Sequence, residues 1–371
     1  MEFRKYFLRG SALILILILI FGISYSVLVY ISNKPPIDEI NFARKTIASA
    51  KNNMAGRYAT ETLRAAEGLY HQSVEEWQLQ NKKFFLFRNY EHTLELAIES
   101  YNMAASARDE ALDTHSELSE AVKKQMFDLK IRVSRFDKYY KNLPLNSSTV
   151  NKSSNGETAF LEAQVELKKG QFVQAQKLLK KASENLSKAE NEAHFKLTNF
   201  YNDYPLWQEN VQKALSLSKK GQTVILIDKL DASCTVLKSG KEYKIFPAEF
   251  GTSWMGDKTK TGDKATPEGI YKVTQKKNSS KTKYHKALLI NYPNNDDKKR
   301  FETLVKSGQI PKNSNIGGMI EIHGDGGKGV NWTDGCIALE NTEMDLLYSL
   351  CSVNTPVIIV GARQSLDEYL D

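Results

Sequence analysis

Cysteine is scarce in this chain. Cys234, Cys336 and Cys351 are the only three among 371 residues. Three thiols cannot build a disulfide framework, so stability has to come from packed cores, and at least one thiol stays free. Histidine is also rare, with six in all, and no Cys/His grouping has the spacing of a metal site; neither a metal nor another cofactor is expected. Dense Lys/Arg runs are missing too. The net charge of +7 and the pI near 8.9 suit a partner bearing carboxylates. The lysines between Gln275 and Lys283 read as a solvated loop, and nucleic acid is not an expected partner. From Ile37 to Leu215 glycine is sparse, and Pro144 and Pro205 are the only prolines, so little there interrupts helices.

What is present begins with an apolar run. Ala12 to Ile31 carries no charge, and about 20 such residues cross a bilayer as a helix. Arg4, Lys5 and Arg9 precede it, which favours a cytoplasmic tail over 1–11. A cleavable signal peptide shares the basic start. Here, however, the run is long for one and no small-x-small site follows it. The expectation is an uncleaved anchor over 12–31, with everything after Asn33 on the other side of the membrane.

Pro35-Pro36 ends that helix. Residues 36–216 are rich in Ala, Glu, Lys, Leu and Gln, and read as an all-α region. Phe172, Ala175, Leu179, Ala182, Leu186, Ala189 and Ala193 step by three and four, as do Met126, Leu129, Val133, Phe136, Tyr140 and Leu143. Such stripes pack helices against one another. Lys168–Phe172 opens a stretch similar to half of a tetratricopeptide-type hairpin, without a strict period. The Ser/Asn-rich stretch 144–157 is expected to be a polar break. The region is expected to serve as a spacer or as a groove for a protein partner. Its histidines, His71, His92, His115 and His194, read as helix-surface or interface residues.

The texture changes at Lys219-Lys220-Gly221. Short β-rich runs follow at 223–227, 233–237, 242–250, 270–273, 288–290, 319–322 and 355–360, with one helix from Asn341 to about Cys351 capped by Asn341 or Thr342. Residues 221–371 are therefore expected to form a small, mainly-β domain with a helix or two.

A lone cysteine beside a strand is usually a small buried hydrophobe, and a lone histidine is usually structural. The stretch Ile322–Leu339 offers both, joined by a loop with glycines at 324, 326, 327 and 329, and Gly335 precedes Cys336. A thiol becomes a useful nucleophile when a neighbouring base takes its proton. Cys336 is thus the candidate nucleophile and His323 the candidate general base.

The pattern His323-Gly324, then a loop, then Thr333-Asp334-Gly335-Cys336-Ile337 resembles the YkuD-type L,D-transpeptidases, cysteine enzymes that act on bacterial cell-wall peptides. Asp263 to Tyr271 resembles that family's turn before a central strand. The resemblance covers about Gly221 to Gly361. In the commoner motif a histidine stands at the position of Asp334 and an arginine at that of Ala338. The runs Trp332–Asn341 and Tyr284–Asn294 are similar instead to the YafK-like branch, which is similar to an amidase releasing a lipoprotein from peptidoglycan. Taken with the apolar run and the helical stripes, it gives an expected multidomain chain: a transmembrane helix, a helical-hairpin region and a mainly-β catalytic domain. The expectation is a bacterial inner-membrane protein with its catalytic domain on the periplasmic side, and the resemblance implies action on peptidoglycan stem peptides through a Cys336 thioester, passed to an amine or to water.

Backbone N–H groups near Gly335 and Cys336 are the expected oxyanion donors. The resemblance implies that a carbonyl within Thr333–Gly335 orients the imidazole. Asp334 tunes that ring or closes a turn. Gly324, His285 and Trp332 are candidate substrate contacts, with packing roles as the alternative for the last two. Competing functions are a vestigial domain on a helical scaffold that binds cell-wall material, and a general cysteine protease.

Overall fold

The structure is a computed structural model that describes residues 2–32 and 34–371, with side chains described from residue 12 apart from those of 31 and 32. Asn33 and the side chains of the expected tail 1–11 lie outside the described residues. The chain packs as two compact units: residues up to Phe127 with Ala163–Lys177, and Asp128–Glu162 with Leu178–Asp371.

The first unit begins with α1 (Glu2–Ser32). Its segment Ala12–Tyr30 has a mean hydropathy of 2.8 and is long and apolar enough to cross a membrane. Next come α2 (Ile37–Asn52), the single turn α3 (Ala55–Tyr58) and α4 (Thr60–Lys82). A 3-10 turn at Phe85–Phe87 leads into α5 (Glu91–Tyr139), whose first part belongs here. Small side chains let these helices approach closely: Ala50, Ala55, Ala66, Ala104, Ala107 and Ala111 are fully buried. Ser100 Oγ donates to the Ala66 carbonyl across the contact at 2.8 Å.

The second unit contains the end of α5, most of α6 (Ser147–Lys168) and α7 (Phe172–Phe200), and then α8 (Tyr204–Lys219). The polar break expected over 144–157 is helical from Ser147 onward. Asn146 Oδ1 accepts from the Thr149 N–H at 2.9 Å, and Thr149, Gly156, Ala159 and Phe160 form a buried stripe. Packing along that stripe overrides the weak helix propensity of its Ser and Asn. Gly156 is required there, because a Cβ would lie 2.7 Å from Leu186 Cγ.

Eight strands form one sheet in the order β3-β2-β1-β8-β4-β5-β6-β7. They are β1 (Val224–Asp228), β2 (Ser233–Lys238), β3 (Lys241–Pro247), β4 (Gly269–Lys277), β5 (Ala287–Ile290), β6 (Glu321–His323), β7 (Ile337–Ala338) and β8 (Pro356–Val360). β1 pairs parallel with β8, and β6 pairs parallel with β7. The chain beyond β3 bridges back to the far edge, Glu249 to Ala338 and Gly251 to Thr333, so the sheet curls and its β7 edge is covered. β1 and β8 are apolar on both faces because helix and sheet cover them; α8 lies over β1 and β8. Trp207 of α8 is buried, donates from Nε1 to Glu268 Oε2 at 2.7 Å, and sits against Gly361, where a Cβ would come within 2.2 Å of the indole.

Three further helices complete the unit: α9 (Asn295–Lys306), α10 (Asn341–Leu350) and α11 (Leu366–Leu370). Glu340, and neither Asn341 nor Thr342, is the N-cap of α10; its N–H donates to the Glu343 carboxylate. The Asn341 side chain instead accepts from the Asp325 N–H at 2.7 Å.

Candidate active site

His323 ends β6, and Cys336 immediately precedes β7. Because His323 pairs with Ala338 in a parallel ladder, Cys336, two residues earlier, is directed to the same face as His323. Folding thus brings together the two residues singled out in the sequence. The half-buried thiol is directed at the Met319 carbonyl, with Sγ 3.7 Å from the oxygen.

His323 is fully buried. Its Nδ1 lies 2.6 Å from the Gly324 carbonyl. A carbonyl can only accept, so Nδ1 carries the proton and Nε2 keeps its lone pair. Nε2 is buried without a hydrogen-bond partner among the described residues. The carbonyl that fixes the ring therefore belongs to Gly324, next to the histidine itself, and not to Thr333–Gly335 as expected. Tyr284 stacks on the imidazole at 3.5 Å between ring centroids and 6° between planes, and Trp332 meets it edge-on at 6.0 Å.

The loop 326–335 is held from behind. The buried Glu249 carboxylate accepts from the Gly329 N–H at 2.6 Å and from Trp332 Nε1 at 2.7 Å. Asn331 Oδ1 accepts from the Phe250 N–H. Thr333 Oγ1 donates to the Cys336 carbonyl at 2.7 Å and accepts from the Gly335 N–H at 3.2 Å. The expected oxyanion donor at Gly335 is thus engaged by Thr333 in this conformation. Gly335 has φ +126°, and a Cβ on it would lie 2.5 Å from the Ala265 carbonyl oxygen.

That oxygen belongs to the turn Asp263–Tyr271. Asp263 accepts from the N–H groups of Thr259, Lys260 and Ala265 and from Lys258 Nζ. Burial would raise its pKa, but Lys258 and these N–H groups more than offset that and hold it below the usual range. Lys229, fully buried, donates to the carbonyls of Gly256 and Thr266 and pairs with Glu268 at 2.5 Å, which pins the other side of the turn.

The remaining sequence candidates sit around this centre. Asp334 is exposed in the bend before Gly335. His285 Nε2 is 2.7 Å from Asp345 Oδ1, which Lys286 also contacts, so its imidazole is held by a surface carboxylate. Gly324 packs tightly, since a Cβ there would meet Asn341 Oδ1 at 2.5 Å. The four histidines of the helical region lie elsewhere; His115, for one, packs edge-on between Tyr58 and Phe172. Cys234 and Cys351 are buried free thiols. Sequence reasoning did not single out Tyr284, Glu249, Met319 or Glu321. Glu249 did carry a signal, as one acid inside the apolar run Phe246–Phe250. Tyr284 adjoins His285, which drew the attention instead.

Electrostatics set the resting protonation. Burial pushes the Cys336 thiol above its ordinary range, and the Glu321 N–H only partly opposes this. Burial lowers the His323 pKa, against the raising effect of the Gly324 carbonyl. Both shifts favour a neutral thiol beside a neutral imidazole over a thiolate–imidazolium pair. Alkylation of Cys336 by iodoacetamide is therefore expected to be slow at pH 5–7 and to accelerate toward alkaline pH. A reactivity plateau extending below pH 6, measured by intact mass, would reveal a pre-formed ion pair and contradict this.

Residues 222–359 match the family model described as YkuD, the L,D-transpeptidase catalytic domain. No curated protein matches the chain. Among solved structures, the helical cell shape determining protein Pgp2 from Campylobacter jejuni is 26% identical over 39% of this chain and 49% of its own, with a TM-score of 0.31. Bd1075 from Bdellovibrio bacteriovorus is 23% identical over 40% and 52%, with a TM-score of 0.30. An L,D-transpeptidase from Mycobacterium smegmatis is 16% identical over 38% and 59%, with a TM-score of 0.25. The chain spans about half the length of the solved structures it matches. Residues 222–359, the segment that carries the curled sheet, His323 and Cys336, are thus similar to the YkuD L,D-transpeptidase catalytic domain.

Proposed function

We propose that this domain is a cysteine-dependent acyltransferase or amidase that acts on peptidoglycan stem peptides. The observation that carries the reading is the tautomer of His323. With Nδ1–H committed to the Gly324 carbonyl, Nε2 is a neutral, unpartnered base on the face where the Cys336 thiol stands. When substrate binds, the thiol turns from the Met319 carbonyl to Nε2 and gives up its proton. The thiolate Sγ then attacks the amide carbonyl of the stem peptide. The Cys336 N–H receives the oxyanion, joined by that of Gly335 once it leaves Thr333. The tetrahedral intermediate expels its amine, which takes the proton back from the His323 imidazolium. The thioester left on Cys336 then passes to an amine or to water.

Trp332 and His285 flank this centre as candidate substrate contacts. Tyr284, covering one face of the imidazole, limits where water can approach it. In this reading α1 anchors the chain in the bacterial inner membrane, and the basic residues Arg4, Lys5 and Arg9 keep its start in the cytoplasm, so the catalytic domain acts on the periplasmic side. The helical region is proposed to serve as a spacer or to take a protein partner.

The test is mass spectrometry of muropeptides incubated with the full chain in detergent. A product with a new cross-link identifies a transferase, and one that has lost a residue or an attached amine identifies a hydrolase. Unchanged muropeptides, together with cleavage of ordinary L-peptides, would replace this reading with that of a general cysteine protease.

A further inference from the structure

The connection between α4 and α5 displays three phenylalanines that the first unit leaves uncovered. Phe84, Phe85 and Phe87 are 61%, 38% and 74% exposed. The turn that presents them is well built. The Phe87 N–H donates to the Phe84 carbonyl at 2.9 Å, and the Arg88 guanidinium donates to the carbonyls of Lys83 and Asn81 at 3.0 and 3.1 Å. Gln80 Oε1 accepts from the Asn89 N–H, and Tyr90 donates to Asn81 Oδ1. The Phe84 ring lies 4.7 Å from Phe85 and 6.3 Å from Phe87. Polar groups are turned inward and bonded while aromatic rings cluster outward, the reverse of a surface shaped for water. Two exposed lysines, Lys82 and Lys83, stand immediately before the cluster.

A second observation says what covers it. Phe85 shares a groove with Leu19, Gly22, Ile23, Ser26 and Tyr30 of α1. These residues belong to the apolar segment Ala12–Tyr30, in the half that leads toward α2. Leu19 to Tyr30 rises about 16 Å at 1.5 Å per residue, roughly half of a bilayer core of about 30 Å. A residue of the α4–α5 turn therefore lies beside the part of α1 that hydrocarbon would surround.

We propose that this turn is a second membrane contact. Phe84, Phe85 and Phe87 enter the leaflet nearest α2, beside α1, and Lys82 and Lys83 meet the phosphates of anionic lipid headgroups. The proposal rests on reading α1 as membrane-spanning, and it holds whichever side of the membrane the chain occupies. Aromatic rings favour the boundary between headgroups and acyl chains, and lysines reach outward from it. A protein partner would equally cover three phenylalanines, but it gives no reason for Phe85 to lie beside the apolar half of α1. Attachment at two points, α1 and the turn, sets how the first unit stands on the membrane.

Quenching by brominated lipid tests this. The full chain is reconstituted in vesicles of equal parts phosphatidylcholine and phosphatidylglycerol, with the phosphatidylcholine brominated on its acyl chains. Emission added by Phe87→Trp, or by Phe84→Trp, over that of the unmodified chain is expected to be lost in these vesicles and to resist aqueous iodide. Lys82→Glu with Lys83→Glu is expected to restore iodide access. Tyr25→Trp reports on α1 itself. If Y25W is quenched by the lipid while F87W and F84W respond only to iodide, the turn stands in water and the proposal is overturned with the anchor intact. If Y25W also escapes the lipid, the anchor reading fails and takes the proposal with it. Added emission shielded from both quenchers means a protein–protein contact, which likewise overturns it.

Discussion

Cys336→Ala is expected to lower the turnover of muropeptides by about a thousandfold or more, to the level set by binding alone. The reason is geometric as well as chemical. The only other cysteines, Cys234 and Cys351, are buried free thiols, and burial raises both of their pKa values, so neither can stand in as a nucleophile. The variant removes a half-buried side chain that holds no structural hydrogen bond stronger than the 3.7 Å contact with Met319, so the fold should persist. A matching expectation is covalent: a carbapenem should acylate Cys336 and appear as a mass adduct that is absent from C336A. Retained activity in the alanine variant would remove Cys336 from the mechanism, and an adduct on another residue would relocate the nucleophile.

Gly335→Ala carries the second large effect. The residue sits at φ +126°, a conformation that L side chains rarely adopt, and holding an alanine there costs about 1–3 kcal/mol. Its Cβ would also lie 2.5 Å from the Ala265 carbonyl oxygen. That oxygen cannot withdraw cheaply, because the Asp263 carboxylate and buried Lys229 pin the turn it belongs to. Relief must come from the loop that carries Cys336, and a displacement of about 1 Å at a reacting group is enough to cost roughly a hundredfold in rate. The expected result is at least that loss in turnover, with destabilisation of about 2–4 kcal/mol in urea denaturation. Gly329→Ala is the comparison. It has φ +71° with open space around the would-be Cβ, so it should pay only the smaller backbone strain and keep most of its activity. If G335A behaved like G329A, tight packing against Ala265 would not be what positions Cys336.

Local pattern carried much of this structure. The apolar run before Pro35, the three-and-four stripes of α5 and α7, and the β-rich runs after Gly221 all reappear as elements. These signals work because a helix or strand face that must be buried writes its period into the chain. Where burial comes from a distant partner, the pattern misleads. Residues 147–157 look like a linker by composition, yet fold as helix because Gly156 lets Leu186 come close. α9 escaped notice because its strongest signal is a cap, Asn294 with Asp297, before a mostly charged helix.

The candidate site divides in the same way. By itself, the sequence determined which groups have useful chemistry, a thiol after glycine and an imidazole before a glycine-rich loop, because reactivity belongs to the side chain. The tertiary structure decided which face they share, through the parallel pairing of β6 with β7. It also decided that Gly324 rather than Thr333–Gly335 orients the ring, that Tyr284 stacks on it, and that Glu249 holds the loop from behind. Gly324 adjoins His323, but Tyr284 and Glu249 lie far in the chain from the groups they hold, and only the closing of the sheet brings them there.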